Sequence, residues 1–350
     1  MLTRFIDKFI QRVAFVIMLC MVMVACSDSD DDAVGTEDVS VAFTLTVADA
    51  ASTRAENDGW DDYSPAQDGI LNENMVNTND IIIAIYDDKG NKIDNVEDLR
   101  VTAVSDPSIS GATVYAITGV WKNAKPNVDK AKRIMVIANC NATTLSDPSK
   151  LTYDLDPGMR KYIPMWGVVK IPNTLTLGKQ NKLPDIQMLR AMAKVSVSLR
   201  TDMAQYGYAI GSMSVNNYNT RGYCVPKTFN EVDNTSEVRF ANSLNVLDSH
   251  ADQIALSTTA PLYLPEYDNS GTNPTTITVN LNRNGTFEGT YTLEFRNYDS
   301  DGKPTGPTYP IQRNHYYQYW IYKETGKIIV TLHVRKWNRR IYPEDDGIIM

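Results

Sequence analysis

The 350-residue chain is long enough for two domains of ordinary size, and 43% hydrophobic with 22% charged residues excludes a disordered protein. Nineteen tyrosines, many Thr and Val residues and no long Ala/Glu/Lys/Leu-rich stretch favour strands over helices. The net charge of −8 becomes more negative still once the first 26 residues, with Arg4, Lys8 and Arg12 against Asp7, are set aside, so nucleic acid is excluded as a partner.

The chain opens with that basic start and the apolar run Val13 to Ala25 (VAFVIMLCMVMVA). As a helix the run spans about 20 Å, short of the roughly 30 Å hydrocarbon core, which fits the apolar region of a secretory signal. It ends in Met23-Val-Ala-Cys26. This resembles a lipobox, in which Cys26 becomes the acylated first residue of the mature protein; Met23 stands where Leu is usual. The alternatives are an uncleaved anchor or a plain secretory signal. The acidic run Ser27 to Asp32 follows, within a stretch 27–36 too charged to bury anything, and reads as a solvated tether.

Val39 to Val47 alternates with period two. Val39, Val41, Phe43, Leu45 and Val47 share one face of a half-buried strand, with Ser40, Ala42, Thr44 and Thr46 on the other. A small, polar loop, 48–62, comes next and carries Ser52-Thr-Arg54-Ala55, a basic residue isolated among small ones. An extended, exposed segment of this kind is what a protease requires. Further strands are predicted over Asp80 to Tyr86, Leu99 to Val104, Ala112 to Thr118 and Lys132 to Asn139, the last of central-strand type. Asp87 to Asn91 reads as a hairpin turn, and Gly178 to Asp185 as a loop.

The second half begins near residue 187, with Ile186 to Leu199, and continues with strands over Thr275 to Leu281, Gly289 to Asn297, Tyr316 to Lys323 and Lys327 to Trp337. Asp301-Gly302 and Thr325-Gly326 supply turns, and Glu237 to Gln253 is the one helical stretch predicted there. The pattern is all-β: two tandem β-sandwich domains, 37–187 and 188–350, with little helix.

Chemistry-bearing constellations are scarce. Asp248-Ser-His250-Ala-Asp252 places triad residue types side by side, but adjacent residues seldom reach triad geometry. His315 and His333 lie in or beside strands. The Asp/Asn clusters lack the spacing of a calcium loop, and no Cys or His pair has zinc-ligand spacing. No phosphate-binding glycine motif occurs. No enzyme, metal or cofactor is therefore expected. With Cys26 lipidated, Cys140 and Cys224 remain; the compartment permits a disulfide, but they fall in different predicted domains and read as buried free thiols. Trp60, Trp121 and Trp166 offer an exposed aromatic platform for glycan only if they are not core, and Trp166 reads as core.

Several stretches in order resemble the fimbrillin family, the fimbrial subunits of gut and oral anaerobes. They are the lipobox, the alternating strand leading to Thr53-Arg54-Ala55, Ile81 to Gly90 (IIIAIYDDKG), Arg133 to Asn139 (RIMVIAN), Ile163 to Gly167 (IPMWG), Arg190 to Val197 (RAMAKVSV), Arg313 to Gln318 (RNHYYQ) and Val334 to Trp337 (VRKW). The resemblance implies transthyretin-like sandwiches, an outer-membrane lipoprotein precursor, and cutting between Arg54 and Ala55 by an Arg-specific protease. It implies that the strand carrying Val39, Val41, Phe43, Leu45 and Val47 is then displaced by a neighbour's C-terminal strand. Implied partners are other copies of the chain, other fimbrial subunits, the membrane through the precursor's lipid, and a host or bacterial surface receptor. Donor residues implied in 327–350 are Ile328, Val330, Leu332, Val334, Ile341, Ile348 and Ile349. The segment departs from a good strand at Arg339-Arg340 and Pro343 to Asp346, so either Ile328 to Trp337 is the donor or the chain is an accessory, tip or anchor subunit. A surface glycan- or receptor-binding lipoprotein is the other reading.

Overall fold

A computed structural model describes residues 36–47, 71–105, 113–141, 147–155, 162–235, 250–258 and 260–336. The first half contains ten strands: β1 (Val39–Val47), β2 (Ile81–Tyr86), β3 (Lys92–Asn95), β4 (Glu97–Ser105), β5 (Thr113–Trp121), β6 (Arg133–Ala138), β7 (Thr152–Asp154), β8 (Met165–Lys170), β9 (Gln180–Lys182) and β10 (Ile186–Arg190). All but β7 lie in one path ordered β3-β2-β6-β8-β10-β1-β5-β4, with β9 paired to β1 beside it.

The hinge of this path is β10. Its first residues pair in parallel with β1, Leu45 opposite Ile186, while its last two pair antiparallel with β8, Arg190 opposite Met165. One strand thus serves both layers of the first sandwich, whose core includes Phe43, Ile85, Ile117, Val136, Trp166 and Met188. The apolar run of β6 is buried from Ile134 to Ala138, as a strand covered on both faces requires. At Gly167 β10 lies close against β8: a Cβ there would lie 2.7 Å from Ile186 Cγ2 and 2.8 Å from the Gln187 carbonyl oxygen. Gly167→Ala is therefore expected to push β10 aside and lower stability by about 1–3 kcal/mol in urea denaturation.

The second half contains β11 (Met192–Leu199), a short helix α1 (Thr201–Gln205), β12 (Tyr208–Asn219), β13 (Arg221–Tyr223), β14 (His250–Leu256), β15 (Leu262–Pro265), β16 (Thr276–Arg283), β17 (Thr286–Glu294), β18 (Asn297–Tyr298), β19 (Pro304–Thr305), β20 (His315–Glu324) and β21 (Lys327–Lys336). Two four-stranded sheets, β15-β11-β20-β21 and β14-β12-β16-β17, face each other. Val195, Tyr317, Tyr319 and Val330 of one meet Val215, Ile277, Val279 and Leu281 of the other. Phe295 stands edge-on to Tyr317 and Tyr319 at centroid distances of 5.3 and 5.7 Å. The β20–β21 hairpin turns through Thr325 and Gly326, both at positive φ, as the twist of a two-residue hairpin demands.

The fold corrects the sequence reading in four places. The chain passes between sandwiches at Ala191 rather than near residue 187, because β10 completes the first sandwich and β11 opens the second. Cys140 and Cys224 are bonded to each other, with Cα atoms 6.6 Å apart, rather than separate thiols. The reason is that residues 221–235 leave the second sandwich and lie on the first: β13 pairs with β7, Asn234 bridges Val169, and Cys224, Val225 and Phe229 join the first core. His250 to Gln253, predicted helical, begins β14 and pairs with β12; residues 236–249 lie outside the described residues. Trp121 is buried and adds nothing to an exposed platform; Trp166 is buried as read, and Trp60 lies outside the described residues.

Candidate functional site

The segment singled out by its alternation, β1, sits in the interior of the first sandwich and not at an edge. Val39, Val41, Phe43, Leu45 and Val47 are all buried, the first four completely. The opposite face is covered too at its centre, where Ala42 and Thr44 are each 2% exposed. Burial of five such side chains is worth on the order of 8–15 kcal/mol before entropy is counted.

Both backbone edges of β1 are occupied. On one side β5 runs antiparallel, pairing Val39 with Trp121, Val41 with Gly119, Phe43 with Ile117 and Leu45 with Tyr115. On the other, two parallel strands share the edge: β9 opposite Ser40 to Ala42, and β10 opposite Leu45 to Val47. Between them Leu183 N–H donates to the Ala42 carbonyl at 2.9 Å, and the Thr44 hydroxyl donates to Asp185 Oδ1. Asn181 seals the start of the slot, its Nδ2 donating to the Ser40 carbonyl at 3.1 Å while its Oδ1 accepts from Thr176 N–H at 2.8 Å. At the entrance the Asp38 carboxylate accepts from Asn123 N–H at 2.8 Å, and Lys125 pairs with Glu37 at 2.9 Å.

Ahead of β2 lies a short 3-10 turn, Leu71–Asn74, which is fixed by a buried polar cluster where the sandwiches meet. The Glu73 carboxylate, fully buried, accepts from Lys194 at 2.9 Å and from the Tyr263 hydroxyl at 2.7 Å. Arg190, also fully buried, donates to the Glu73 carbonyl at 3.1 Å, to Asn314 Oδ1 at 2.7 Å and to Asn74 Oδ1. Burial first, and then the Glu73 carboxylate, push the Tyr263 phenol above its ordinary value, so Tyr263 remains a hydrogen-bond donor. Charges this deep need partners, and here the partners come from both sandwiches. Residues on the far side of the 48–70 segment are thereby held independently of β1.

A second set of contacts joins the sandwiches at residues 221–235. Arg313 pairs with Glu266 at 2.7 Å, both nearly fully buried, and donates to the carbonyls of Cys224 at 3.0 Å and Tyr223 at 3.1 Å. Asp233 accepts from Lys170 and Arg133, each at 3.0 Å. The hydrogen bond from Lys170, with help from Arg133, holds the Asp233 carboxyl below the usual carboxylate range. Thr235 covers the free edge of β8, accepting from Val168 N–H and donating to the Val168 carbonyl.

Of the other predicted residues, Ile328, Val330, Leu332 and Val334 lie on β21, which pairs with β20 along its whole length and edges the second sandwich. Val330 and Val334 are buried in that sandwich's core. Cys26, Arg54, Ala55, Ile341, Ile348 and Ile349 lie outside the described residues. His315 is largely buried, with Nδ1 2.8 Å from the Arg313 carbonyl, and His333 pairs with Gln318 in the β20–β21 ladder. The sequence reading missed β9, Glu73 and Asp185, each supplied to the site by a polar stretch without periodicity.

No protein-family model and no curated protein matches this sequence. Solved structures do match. The tip fimbrial protein Mfa3 from Porphyromonas gingivalis, in a C-terminally truncated form, is 16% identical, with 86% of this chain and 100% of that one covered and a TM-score of 0.51. A fimbrial assembly protein from Parabacteroides distasonis is 13% identical, covering 84% and 96%, with a TM-score of 0.49. The fimbrilin FimA from Porphyromonas gingivalis is 13% identical, covering 88% and 100%, with a TM-score of 0.44. The first of these likenesses shows that the chain has the fold of a fimbrial protein along nearly its whole length.

Proposed function

We propose that this chain is a non-enzymatic structural subunit of a surface fimbria that supports adhesion. In this reading it is exported as a precursor acylated at Cys26, held at the outer membrane, cut after Arg54 by an Arg-specific protease, and joined to neighbouring subunits by replacement of β1. The observation that carries the reading is the lodging of β1: five apolar side chains in the core of the first sandwich, with strands bonded to both of its edges. Removing such a strand leaves two unpaired edges and an apolar trough, which a strand from another protein refills by β-addition. A head-to-tail contact of that kind does not close on itself and yields an open filament. The Glu73 and Arg190 cluster supports a clean excision, because it anchors the chain beyond the loop without using β1. The position of β21 within its own sheet favours the accessory, tip or anchor role over that of a repeating stalk unit.

The test is cleavage of the purified chain by trypsin at Arg54 in the presence of excess 39–47 peptide carrying a fluorophore. The expected result is loss of the original fragment that ends at Arg54 and capture of the labelled peptide, with Arg54→Ala protein capturing none. Retention of the original fragment over days, together with normal fibre incorporation of Arg54→Ala chains in cells, would sink the reading.

A further inference from the structure

The slot around β1 specifies what its occupant must be, and the chain's own candidates can be tried against it. Any occupant needs apolar side chains at five alternate positions of a nine-residue strand, as Val39, Val41, Phe43, Leu45 and Val47 supply. It must also carry a small side chain at the place of Ala42, which is covered on its own face as well. Every residue of the strand must be able to offer its N–H where β5, β9 and β10 line the slot.

Two stretches near the C-terminal side of this sequence are the natural candidates, and neither meets the demand. Within 337–350, every nine-residue frame contains Pro343, which has no N–H. Every frame also puts at least one of Arg339, Arg340, Glu344, Asp345 or Asp346 among the five deep positions, whichever direction the strand runs. A charge there faces Ile117 and Met188 in a wholly apolar core. The alternative, Ile328 to Val334, has the right alternation but lies in β21, which is already paired with β20 over ten successive positions. Taking it out strips Val330 and Val334 from the second core.

We propose that the slot takes its strand from a different protein, and not from residues 327–350 of a second copy of this chain. The partner is identified by chemistry: an uncharged strand without proline, with branched or aromatic apolar residues at alternate positions and small or hydroxyl residues between them. The chain is then a heterotypic member of its assembly, an acceptor whose own residues 327–350 do not complete its like. This inference rests on the strand-replacement reading above.

The experiment uses the full chain cut at Arg54 and three labelled peptides: 39–47, 337–350, and 337–350 carrying Arg339→Val, Arg340→Ala, Tyr342→Thr, Pro343→Val and Asp345→Val. Capture of the 39–47 peptide shows that the slot opens, which keeps failure of the underlying reading separate. The native 337–350 peptide is expected to bind on the order of a hundredfold more weakly than 39–47, and the substituted peptide to regain most of that loss. The cut chain alone, concentrated without peptide, is expected to stay free of filaments. Native 337–350 binding as well as 39–47, or filaments formed by the cut chain alone, would overturn the inference while leaving strand replacement intact. No capture of any peptide would overturn both.

Discussion

Phe43→Ala is expected to destabilise the first sandwich by about 3–5 kcal/mol, the cost of removing a large buried aromatic from a core that closes only partly around the gap. Phe43 is fully buried at the middle of β1, opposite Ile117 of β5, and is flanked along the strand by Val41 and Leu45, which are equally covered. The neighbours are strands held by their own ladders and cannot slide inward to fill the space. Urea denaturation followed by near-ultraviolet circular dichroism checks the magnitude. A change below about 1 kcal/mol, within the range of an ordinary surface substitution, would mean that β1 contributes little to the sandwich. The same variant carries a consequence for exchange: a weaker resident strand is expected to leave the cut protein faster, so capture of a labelled 39–47 peptide should accelerate.

Loss of the disulfide ranks with it. Cys140→Ser is expected to lower stability by about 4–5 kcal/mol, from release of the chain entropy that a link across 84 residues removes from the unfolded state. The bond closes the loop between β6 and the segment after β13, and Cys224 is completely buried in the first core. Its carbonyl is held by Arg313, which is paired with Glu266 inside the second sandwich. Without the link, the 221–235 segment is held by non-covalent contacts alone: its short pairing with β7, the Val169–Asn234 bridge, the Asp233 ion pairs, and the hydrogen bonds of Arg313 and Thr235. Hydrogen exchange is therefore expected to rise first in residues 221–235 and along the β8 edge that Thr235 covers. A Cys140→Ser protein with unchanged denaturation midpoint and unchanged exchange there would show that the other contacts suffice.

The strand content was legible because alternation is a local signal. Val39 to Val47, Thr275 to Leu281 and the aromatic run from Tyr316 each announce a buried face without reference to anything distant, and each folds as read. The walls of the β1 slot were not legible. Gln180–Lys182 is three polar residues inside what reads as a loop, and it becomes a strand only because β1 offers it an edge. The disulfide was hidden for a related reason: nothing in Arg221 to Thr235 says that the segment returns to the first sandwich, since its partners lie more than sixty residues earlier in the chain. Glu73, Lys194 and Arg190 read in the sequence as ordinary charges, and only the meeting of two sandwiches makes them core residues. The division placed near 187 erred because one apolar run, Ile186 to Leu199, serves two sheets in succession.

The flanking of β1 by strands on both sides has a mechanical meaning for any chain that comes to lie there. A tug along the axis of an edge strand at a hairpin can peel it away one bond after another. A segment clasped between β5 on one flank and β9 with β10 on the other is instead loaded in shear, so that both rows must yield together. In the proposed assembly, drag directed along this strand would be borne by both rows at once.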